Sequence, residues 1–251
     1  MKHKIVTIFF VLALILLTFL SFFAVIEIKY FLLLGCLWFL IVFWGSSYIA
    51  SNYHVKTFCG NSLETDKKIA LTFDDGPNEF TLLVLDVLKK YNVKAAFFCI
   101  GKNINNHADI FLKVINEGHS IGNHTYNHLK GWNTSTEDYL DNIALCNTEI
   151  LNVSPVLKSK IFRPPYGKIV KSQSKKLRQL GYKIIMWDVL SADFDQTITP
   201  EKCLENVLQN VQSGSIIVFH DSVKAFKNLE YALPRTLEIL KQRGFIFEAI
   251  Q

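Results

Sequence analysis

Hydrophobic and polar positions divide the chain into two parts with different patterns. The first 50 residues are almost continuously apolar, whereas the chain beyond residue 66 alternates short apolar runs with amphipathic segments. Short apolar runs bounded by turn residues are typical of buried strands, and apolar positions recurring at the helical period are typical of helices. We therefore predict a membrane anchor at 1–50, a polar connector at 51–66 and a folded domain at 67–251.

Two long uncharged stretches make up the predicted anchor. The 22 residues of 5–26 would form roughly 33 Å of helix at about 1.5 Å per residue, which is enough to span a bilayer. Residues 30–50 are uncharged again, and aromatic side chains lie towards their far end, as is usual at membrane interfaces. These aromatic residues are Trp38, Trp44 and Tyr48. The pattern predicts two transmembrane helices, about 5–26 and 30–50, and an integral membrane protein.

A cleaved signal peptide and a core helix of a soluble domain compete with the membrane anchor. Against the signal peptide, the apolar run is long and no clear small-x-small site precedes Glu27. Against the core helix, so uniformly apolar a helix would be unusual in a soluble domain. Lys2 and Lys4 precede the pair and only Lys29 lies within it, so the positive-inside rule favours both ends in the cytoplasm. The charge difference is small, and the side of the folded domain stays open.

Strand and helix signals alternate from residue 69 onward. Strands are predicted at 69–73, 94–100, 119–123, 161–163, 182–188, 215–220 and 245–249. Helices are predicted at 80–91, 110–116, 136–151, 171–180, 200–211 and 234–243, with Thr136 and Thr199 as N-terminal caps. Such alternation with short connections indicates a parallel sheet covered by helices, either open or closed as a barrel.

Composition narrows the classes of function. The net charge of +5 comes from scattered lysines without a dense basic run, which argues against nucleic-acid binding. Five cysteines form no C-x-x-C pair and are odd in number, which argues against a disulfide framework and against a zinc ribbon.

Charged and imidazole side chains follow most of the predicted strands. They are Asp74 and Asp75, His124 and His128, Arg163, Asp188 and Asp193, and His220 and Asp221. Because parallel strands end at one face of the sheet, where active sites of such folds lie, we expect these groups to converge.

The adjacent carboxylates Asp74 and Asp75 stand between an apolar run and a Gly-Pro turn. Like charges repel, so one of them needs a metal ion or a cation nearby. His124 and His128 would face the same way on one helical turn, although a His-x-x-x-His pair also occurs by coincidence. Two imidazoles and one carboxylate form the ligand set of catalytic zinc, and they also suit non-haem iron. The residues alone leave open which aspartate binds metal and which moves a proton.

Two further segments carry candidate chemistry. Arg163 opens an Arg-Pro-Pro-Tyr-Gly loop and could either keep Asp74 ionised or make a purely structural ion pair. The rigid loop would let the backbone N–H of Tyr166 face a developing oxyanion. His220 is either a neutral buried histidine or a general acid, its ring oriented by one of the two acids after the fifth predicted strand.

In order along the chain, TFDDGP, HTYNH, RPPYG, the acid-bearing stretch after Trp187 and VFHD resemble the polysaccharide deacetylases. This family is carbohydrate esterase family 4, the NodB homology domain, and the resemblance runs from about residue 69 to the C-terminus. It implies a distorted (β/α)7 barrel of the TIM type that hydrolyses N-acetyl groups of N-acetylglucosamine-containing glycans. Peptidoglycan, a chitin-like polymer or another glycan of the bacterial envelope would be the substrate.

The resemblance also assigns roles by position. The metal ligands it implies are Asp75, His124 and His128, around one divalent ion that is zinc first, with cobalt, nickel, manganese or iron as alternatives. The catalytic residues it implies are Asp74 as base, Arg163 as its tether, Tyr166 as oxyanion donor, His220 as acid and Asp193 as the acid's partner. The substrate contacts it implies are Pro165, Tyr166 and Phe194.

Departures from the family pattern affect substrate fit more than chemistry. Leu190 replaces a frequent acid, Phe194 a frequent tryptophan and Val218 a common leucine. A deacetylase or deformylase of a lipid-linked sugar at the bilayer is the alternative activity, and a non-catalytic sugar-binding membrane protein is the alternative class. Carbohydrate and the lipid bilayer are the expected partners, without nucleic acid, and the oligomeric state is left open.

Overall fold

A computed structural model describes residues 2–60 and 65–250 of the chain, which divides into two compact units, Met1–Thr57 and Phe58–Gln251. The first unit contains helices α1 (Lys2–Ser21) and α2 (Ile28–Ser47). Both are long and apolar enough to cross a membrane, and only 6% of each apolar window is buried. A core helix of a soluble protein is mostly buried, so this exposure separates the pair from such helices. An N-terminal signal sequence would have the same length and composition.

The second unit alternates strands and helices. Its strands are β1 (Lys68–Asp74), β2 (Ala96–Cys99), β3 (Ser120–Asn123), β4 (Ile161–Phe162), β5 (Lys183–Ile184), β6 (Val189–Leu190), β7 (Ile216–His220) and β8 (Ile246–Phe247). Its α-helices are α3 (Glu79–Lys90), α4 (Gly101–Asn106), α5 (Ala108–Asn116), α6 (Thr136–Val153), α7 (Lys171–Gln179), α8 (Pro200–Leu208) and α9 (Phe226–Gln242).

The strands form one parallel sheet in the order β5-β4-β3-β2-β1-β7-β6, and β8 pairs with the beginning of β1. This is the curled sheet of a (β/α)7 barrel. It confirms the parallel sheet predicted from the alternation of strands and helices and the barrel implied by the family resemblance. β1 lies centrally, and Asp74 is in register with Phe98 of β2 and His220 of β7. Residues 146 positions apart in the chain therefore stand side by side at the C-terminal edge of the sheet.

A short extended segment lies at the gap between β5 and β6. Phe58 bridges to Ile185 and Gly60 to Ser215, and the Phe58 N–H donates to Ile184 O at 2.8 Å. The single strand predicted at 182–188 is therefore two short strands, because residues near 185 pair with this segment instead of continuing the sheet.

Stacked aromatic rings pack the centre of the core. Phe73 of β1 lies 5.0 Å from Phe97 of β2 and 6.3 Å from Phe219 of β7, measured between ring centroids. All three are buried and belong to one hydrophobic cluster with the inner faces of the helices. This packing makes the three central strands a rigid support for the residues that follow them.

Three details of the helices differ from the prediction. Ser135, not Thr136, caps α6, because its hydroxyl accepts the Asp138 N–H at 3.1 Å. Helix α9 begins at Phe226 and includes Pro234 in its interior, since a stripe of buried leucines along its length holds it on the core. The short polar helix α4 was not predicted, as it has no apolar period to reveal it. Thr199 does cap α8.

Candidate active site

A cleft of about 870 Å³ opens at the C-terminal edge of the sheet. The predicted residues that line it are Asp74, Asp75, His124, His128, Tyr166, Phe194 and His220. They come from five different segments of the chain, each of which follows a strand. The convergence expected from their positions after strands is therefore present in the fold.

Asp75, His124 and His128 bring their ligating atoms within 4.8 Å of one another. Asp75 Oδ1 lies 3.2 Å from His128 Nε2 and 3.6 Å from His124 Nε2. The other ring nitrogen of His124 lies 2.7 Å from the Arg163 carbonyl oxygen, which accepts its proton and leaves Nε2 free to bind a metal. Asp75 Oδ1 is buried without a well-formed hydrogen bond from the described residues, as expected of a ligand oxygen.

The protonation states of these groups also suit a metal. Burial lowers the pKa of His124 to about 4, so its ring is neutral near pH 7. Burial alone would raise the pKa of Asp75, but His128 and the other nearby imidazoles outweigh it and hold the pKa well below its usual range. A neutral imidazole and an ionised carboxylate are the forms that bind metal ions. The three residues therefore fit a divalent metal.

The two histidines do not lie on a helical turn, contrary to the prediction. Residues 124–128 form a loop in which Thr125 and His128 have left-handed φ values of 64° and 56°. The Asn142 side chain accepts the N–H groups of Tyr126 and Asn127 at 2.8 and 3.0 Å, replacing the bonds that a helix would make. The imidazoles nevertheless meet, with ring centroids 5.0 Å apart.

Arg163 forms an ion pair with Asp74. Its Nη1 donates to Asp74 Oδ1 and to Thr72 Oγ1, both at 2.7 Å, and its Nη2 donates to Met186 O at 3.0 Å. The guanidinium is fully buried over the Phe98 ring, 4.1 Å from its centroid. Asp74 Oδ2 lies 4.0 Å from His124 Nε2, so the carboxylate joins the arginine to the three candidate ligands.

Asp193 holds His220 through two hydrogen bonds. His220 Nδ1 donates to Asp193 Oδ1 at 2.8 Å, and the His220 backbone N–H donates to Oδ2 at 2.6 Å. Burial alone would lower the pKa of His220, but the fully buried Asp193 carboxylate outweighs it and raises the pKa to about 9. The ring is therefore protonated at neutral pH, and Nε2 is the nitrogen left for a substrate.

Asp188, the other candidate partner of His220, lies elsewhere. Its carboxylate accepts Ser215 Oγ at 2.8 Å and Ile216 N–H at 2.6 Å, at the beginning of β7. The break between β5 and β6 places Asp188 before β6, at the opposite end of β7 from His220.

The loop after β4 presents Tyr166 to the cleft. Its backbone is left-handed, with φ 58°, and its ring lies 4.5 Å from His128 between centroids. Pro165, predicted to contact substrate, is buried and does not line the cleft, so it supports the loop instead. Phe194 does line the cleft, with its ring edge-on to His220 at 5.0 Å.

Asn78 and Asn103 were missed by sequence reasoning, whereas Asp221 was among the groups expected to converge. Asn103 donates to the Asp75 carbonyl at 2.6 Å, and Asn78 caps α3 beside the cleft. Asp221 accepts the Gly76 N–H at 3.0 Å and Thr81 Oγ1 at 2.6 Å, which braces the turn after the two aspartates. Asn78 was detectable as a capping residue directly after the Gly-Pro turn. Asn103 carries no such signal.

The comparisons with known proteins agree with this geometry. A family sequence model described as polysaccharide deacetylase matches residues 62–185. Over 182 residues the chain is 37% identical to a peptidoglycan-N-acetylglucosamine deacetylase of Bacillus cereus, covering 72% of this chain and 66% of that protein. A second Bacillus cereus protein of the same name is 35% identical over 188 residues, covering 74% of this chain and 87% of the relative. Chitin deacetylase 2 of Saccharomyces cerevisiae is 36% identical over 166 residues, covering 64% of this chain and 52% of that protein.

Solved structures give the same result. The Bc1960 peptidoglycan N-acetylglucosamine deacetylase, crystallised with a substituted N-oxidanyl-benzamide, matches with TM-score 0.73 and 34% identity, covering 77% of this chain and 90% of that one. A mutant of a carbohydrate esterase family 4 pseudoenzyme, with restored enzymatic activity, matches with TM-score 0.70 and 26% identity. The match covers 78% of this chain and 70% of that chain. This chain belongs to the polysaccharide deacetylase family, which confirms the resemblance of its motifs.

Proposed function

We propose that this protein is a metal-dependent hydrolase that removes N-acetyl groups from an N-acetylglucosamine-containing glycan of the bacterial envelope. The observation that carries the proposal is the meeting of three groups around one cleft. These are the Asp75–His124–His128 cluster, the Arg163–Asp74 pair and the Asp193–His220 pair. The fold also occurs in a pseudoenzyme relative, so the presence of all three groups is what favours catalysis here.

Asp75, His124 and His128 would hold the metal. A divalent ion there supplies Lewis acidity, which polarises an amide carbonyl and makes water more acidic. We propose zinc because two imidazoles and one carboxylate with open positions are a usual catalytic zinc set. Cobalt, nickel, manganese and iron accept the same donors, so loading experiments decide among them.

Asp74 acts as the general base in this proposal. Arg163 holds Oδ1 at 2.7 Å, which leaves Oδ2 to take a proton from the attacking water. The same arginine fixes the carboxylate against rotation through its bonds to Thr72 and Met186. The base is thus held in one orientation before substrate arrives.

His220 acts as the general acid. Its Nε2 proton passes to the amide nitrogen as the carbon–nitrogen bond breaks, so that a neutral amine leaves. Asp193 keeps the ring oriented and protonated until that step. We assign the Tyr166 N–H to the developing oxyanion and Phe194 to the apolar wall beside His220.

Acetate release from chitooligosaccharides and peptidoglycan tests the proposal. The full-length protein in detergent is stripped of metal and refilled with each divalent ion in turn. We expect release to return with at least one ion, and Asp74→Asn to lower kcat by about a hundredfold or more. Asp195→Asn is the matched control, because Asp195 lies at the surface and bonds to Thr197. Absence of release with every ion, or full activity of Asp74→Asn, would contradict the proposal.

The two apolar helices support a second candidate, a deacetylase or deformylase of a lipid-linked sugar. An integral membrane protein whose residues 1–50 form the anchor and 51–66 the connector would keep its cleft near lipid. Short isoprenoid-linked N-acetyl and N-formyl sugars are the discriminating substrates. A specificity constant higher for these than for wall glycan would favour this candidate, and the reverse would exclude it.

A further inference from the structure

The positive charge of the chain is concentrated in one stretch. Residues 150–187 carry nine of the 27 lysines and arginines and no acidic residue. The rest of the chain carries the other 18 basic residues against 22 acidic ones, so its net charge is −4. The basic residues of the stretch are spaced along the chain, and the net charge of +5 nevertheless comes from them alone.

Helix α7 and the strands beside it bring these cations to one side of the second unit. α7 follows β4 and packs on β5, the last strand at that edge of the sheet. Lys171, Lys175 and Arg178 recur along α7 at the spacing of one helical face, and Gln173 and Leu177 are buried on the other. We call the exposed cations between residues 160 and 178 the basic face. They are Lys160, Lys168, Lys171, Lys175, Lys176 and Arg178.

The cations of the basic face form no salt bridge with a carboxylate among the residues that the structure describes. Exposed lysines elsewhere do, as Lys202 does with Glu205 at 2.8 Å. The face ends at α6, where the Thr136 hydroxyl lies 2.7 Å from that of Ser172 and Glu137 follows in the first turn. Within the face, like charges repel one another across helical turns, so their grouping favours a partner that brings negative charge.

Exposed apolar side chains border the basic face. Trp132 is 62% exposed, and Lys168 Nζ lies 4.7 Å from the centroid of its ring. Leu180 is 57% exposed and follows Arg178 by two residues. Cations interspersed with exposed tryptophan and leucine are typical of surfaces that lie on membranes, where the cations meet headgroups and the apolar groups enter the acyl boundary. A hydrated polyanion would match the cations but not the apolar groups.

The chain that comes from the N-terminal helices joins the sheet at the same edge. Phe58, the first residue of the second unit, bridges to Ile185 and donates its N–H to Ile184 O at 2.8 Å, next to β5. Only residues 48–57 separate it from the end of α2. A bilayer that holds α2 is therefore covalently tied to the edge of the sheet that carries the basic face.

We propose that the basic face docks the second unit on an anionic lipid surface, with headgroup phosphates as the groups that its lysines and arginine bind. The attraction grows with the content of anionic lipid and falls off within a Debye length, about 8 Å at physiological ionic strength. Docking adds a second contact with the bilayer to that of the apolar helices. The docking surface is independent of the chemistry in the cleft.

Lysine footprinting of the full-length protein in lipid nanodiscs tests the docking. Discs of phosphatidylcholine alone are compared with discs rich in phosphatidylglycerol, and reductive dimethylation, which keeps the charge of lysine, is followed by mass spectrometry. We expect Lys171, Lys175 and Lys176 to react about threefold or more slowly on the anionic discs, and high salt to abolish the difference. The exposed Lys89 of α3 and Lys227 of α9 should react equally on both discs.

Two triple variants with the same loss of charge separate the basic face from the net charge. The first removes three cations of α7 and carries Lys171→Gln, Lys175→Gln and Lys176→Gln. The second removes three exposed cations of α3 and α9 and carries Lys89→Gln, Lys90→Gln and Lys227→Gln. The protection of Lys168 by anionic lipid should disappear in the first variant and persist in the second. Its persistence in both would contradict the docking.

The wild-type footprint alone also decides the matter. Equal modification of the α7 lysines on neutral and anionic discs would overturn the docking. Protection by added polyglutamate on neutral discs, without protection by anionic lipid, would overturn it too and identify a soluble polyanion as the partner.

Acetate release measured on the same discs separates the docking from the proposed function. Protection of the α7 lysines without acetate release under any metal would leave the docking standing and refute the hydrolase. Acetate release without protection would do the reverse.

Discussion

Asp74 and Asp75 are neighbours in the chain but contact different partners. Asp74 ends β1 and accepts a hydrogen bond from Arg163, whereas Asp75 turns towards His124 and His128. The left-handed backbone of Asp75, with φ 81°, separates the two side chains. Each carboxylate therefore has its own partners, Arg163 for Asp74 and the two imidazoles for Asp75. This division of contacts is the residue-scale basis of the proposed roles.

The pH dependence of activity tests the pairing of Asp193 with His220. A general acid must be protonated, and the pKa of His220 is raised to about 9, so kcat/KM should fall on the alkaline side near pH 9. Asp193→Asn removes the carboxylate that raises this pKa. We expect the alkaline limb to move to lower pH by at least about one unit, measured as acetate release across pH.

Asp195→Asn controls for the loss of one negative charge near the site. Asp195 bonds to Thr197 and does not contact His220. The alkaline limb of the pH profile of Asp195→Asn should coincide with that of the wild type. An unmoved limb in Asp193→Asn would show that His220 is not the group that titrates there.

At the scale of elements, the site depends on the loops that follow the strands. Non-glycine residues adopt left-handed backbone in four of them. These residues are Asp75, Thr125, His128, Tyr166 and Ala192. Such conformations are uncommon outside glycine and persist where surrounding contacts impose them. Buried side chains such as Asn142 and Asp221 supply those contacts, so the loops are shaped by tertiary packing.

The turn after β1 gives a stability test at this scale. A Cβ added to Gly76 would overlap the Asp221 carboxylate, so Gly76→Ala should lower the free energy of unfolding by about 1–3 kcal/mol. Urea titration followed by tryptophan fluorescence measures it. In the Asp221→Ala background the overlap is gone, and the further cost of Gly76→Ala should largely disappear. If Gly76→Ala lowers the free energy of unfolding equally with and without Asp221, the Asp221 carboxylate is not what the added Cβ meets.

His119 lies just before the beginning of β3, at the end of the strand away from the cleft. We expect it to make the stability of the protein sensitive to acid. Its Nδ1 accepts the Ala95 N–H at 3.2 Å, and burial lowers its pKa to about 4. The unfolded chain protonates histidine near pH 6.5, so the stability that the neutral ring contributes is present above about pH 6.5 and is lost as pH falls towards 4. His119→Gln should reduce this acid-induced loss in the free energy of unfolding by about 2 kcal/mol, measured by urea titration between pH 4 and 8. An unchanged pH dependence would mean that other groups cause it.

At the scale of the whole molecule, the two apolar helices are long and apolar enough to span a membrane. Two spans place the N-terminus and the C-terminus on the same side of a membrane. We expect reporters before Lys2 and after Gln251 to report the same compartment, with the protein resisting alkaline extraction from membranes. A mature chain that begins after α1 would instead identify a cleaved signal sequence. The side of the membrane on which the reporters lie would decide between the two candidate substrates, which are wall glycan outside the cell and lipid-linked sugar inside it.

The sequence by itself determined the architecture and the chemical groups. Apolar runs and helical periods predicted the parallel sheet covered by helices and the two apolar N-terminal helices, because burial patterns are local in the chain. The family resemblance implied that the sheet curls into a barrel. The positions of acids and histidines after strands predicted their convergence, because parallel strands end at one edge. Family resemblance then ordered the roles of Asp74 and Asp75, which the residues alone left open.

Only the tertiary structure decided which groups touch. The contacts of Arg163 with Asp74 and of Asp193 with His220 join residues 89 and 27 positions apart, and no local pattern encodes such distances. The same holds for Asp188, which lies at the beginning of β7 because residues 58–60 interrupt its strand. The loop that replaces the predicted turn between His124 and His128 follows from side-chain hydrogen bonds to backbone groups, which override helical propensity once distant residues pack together.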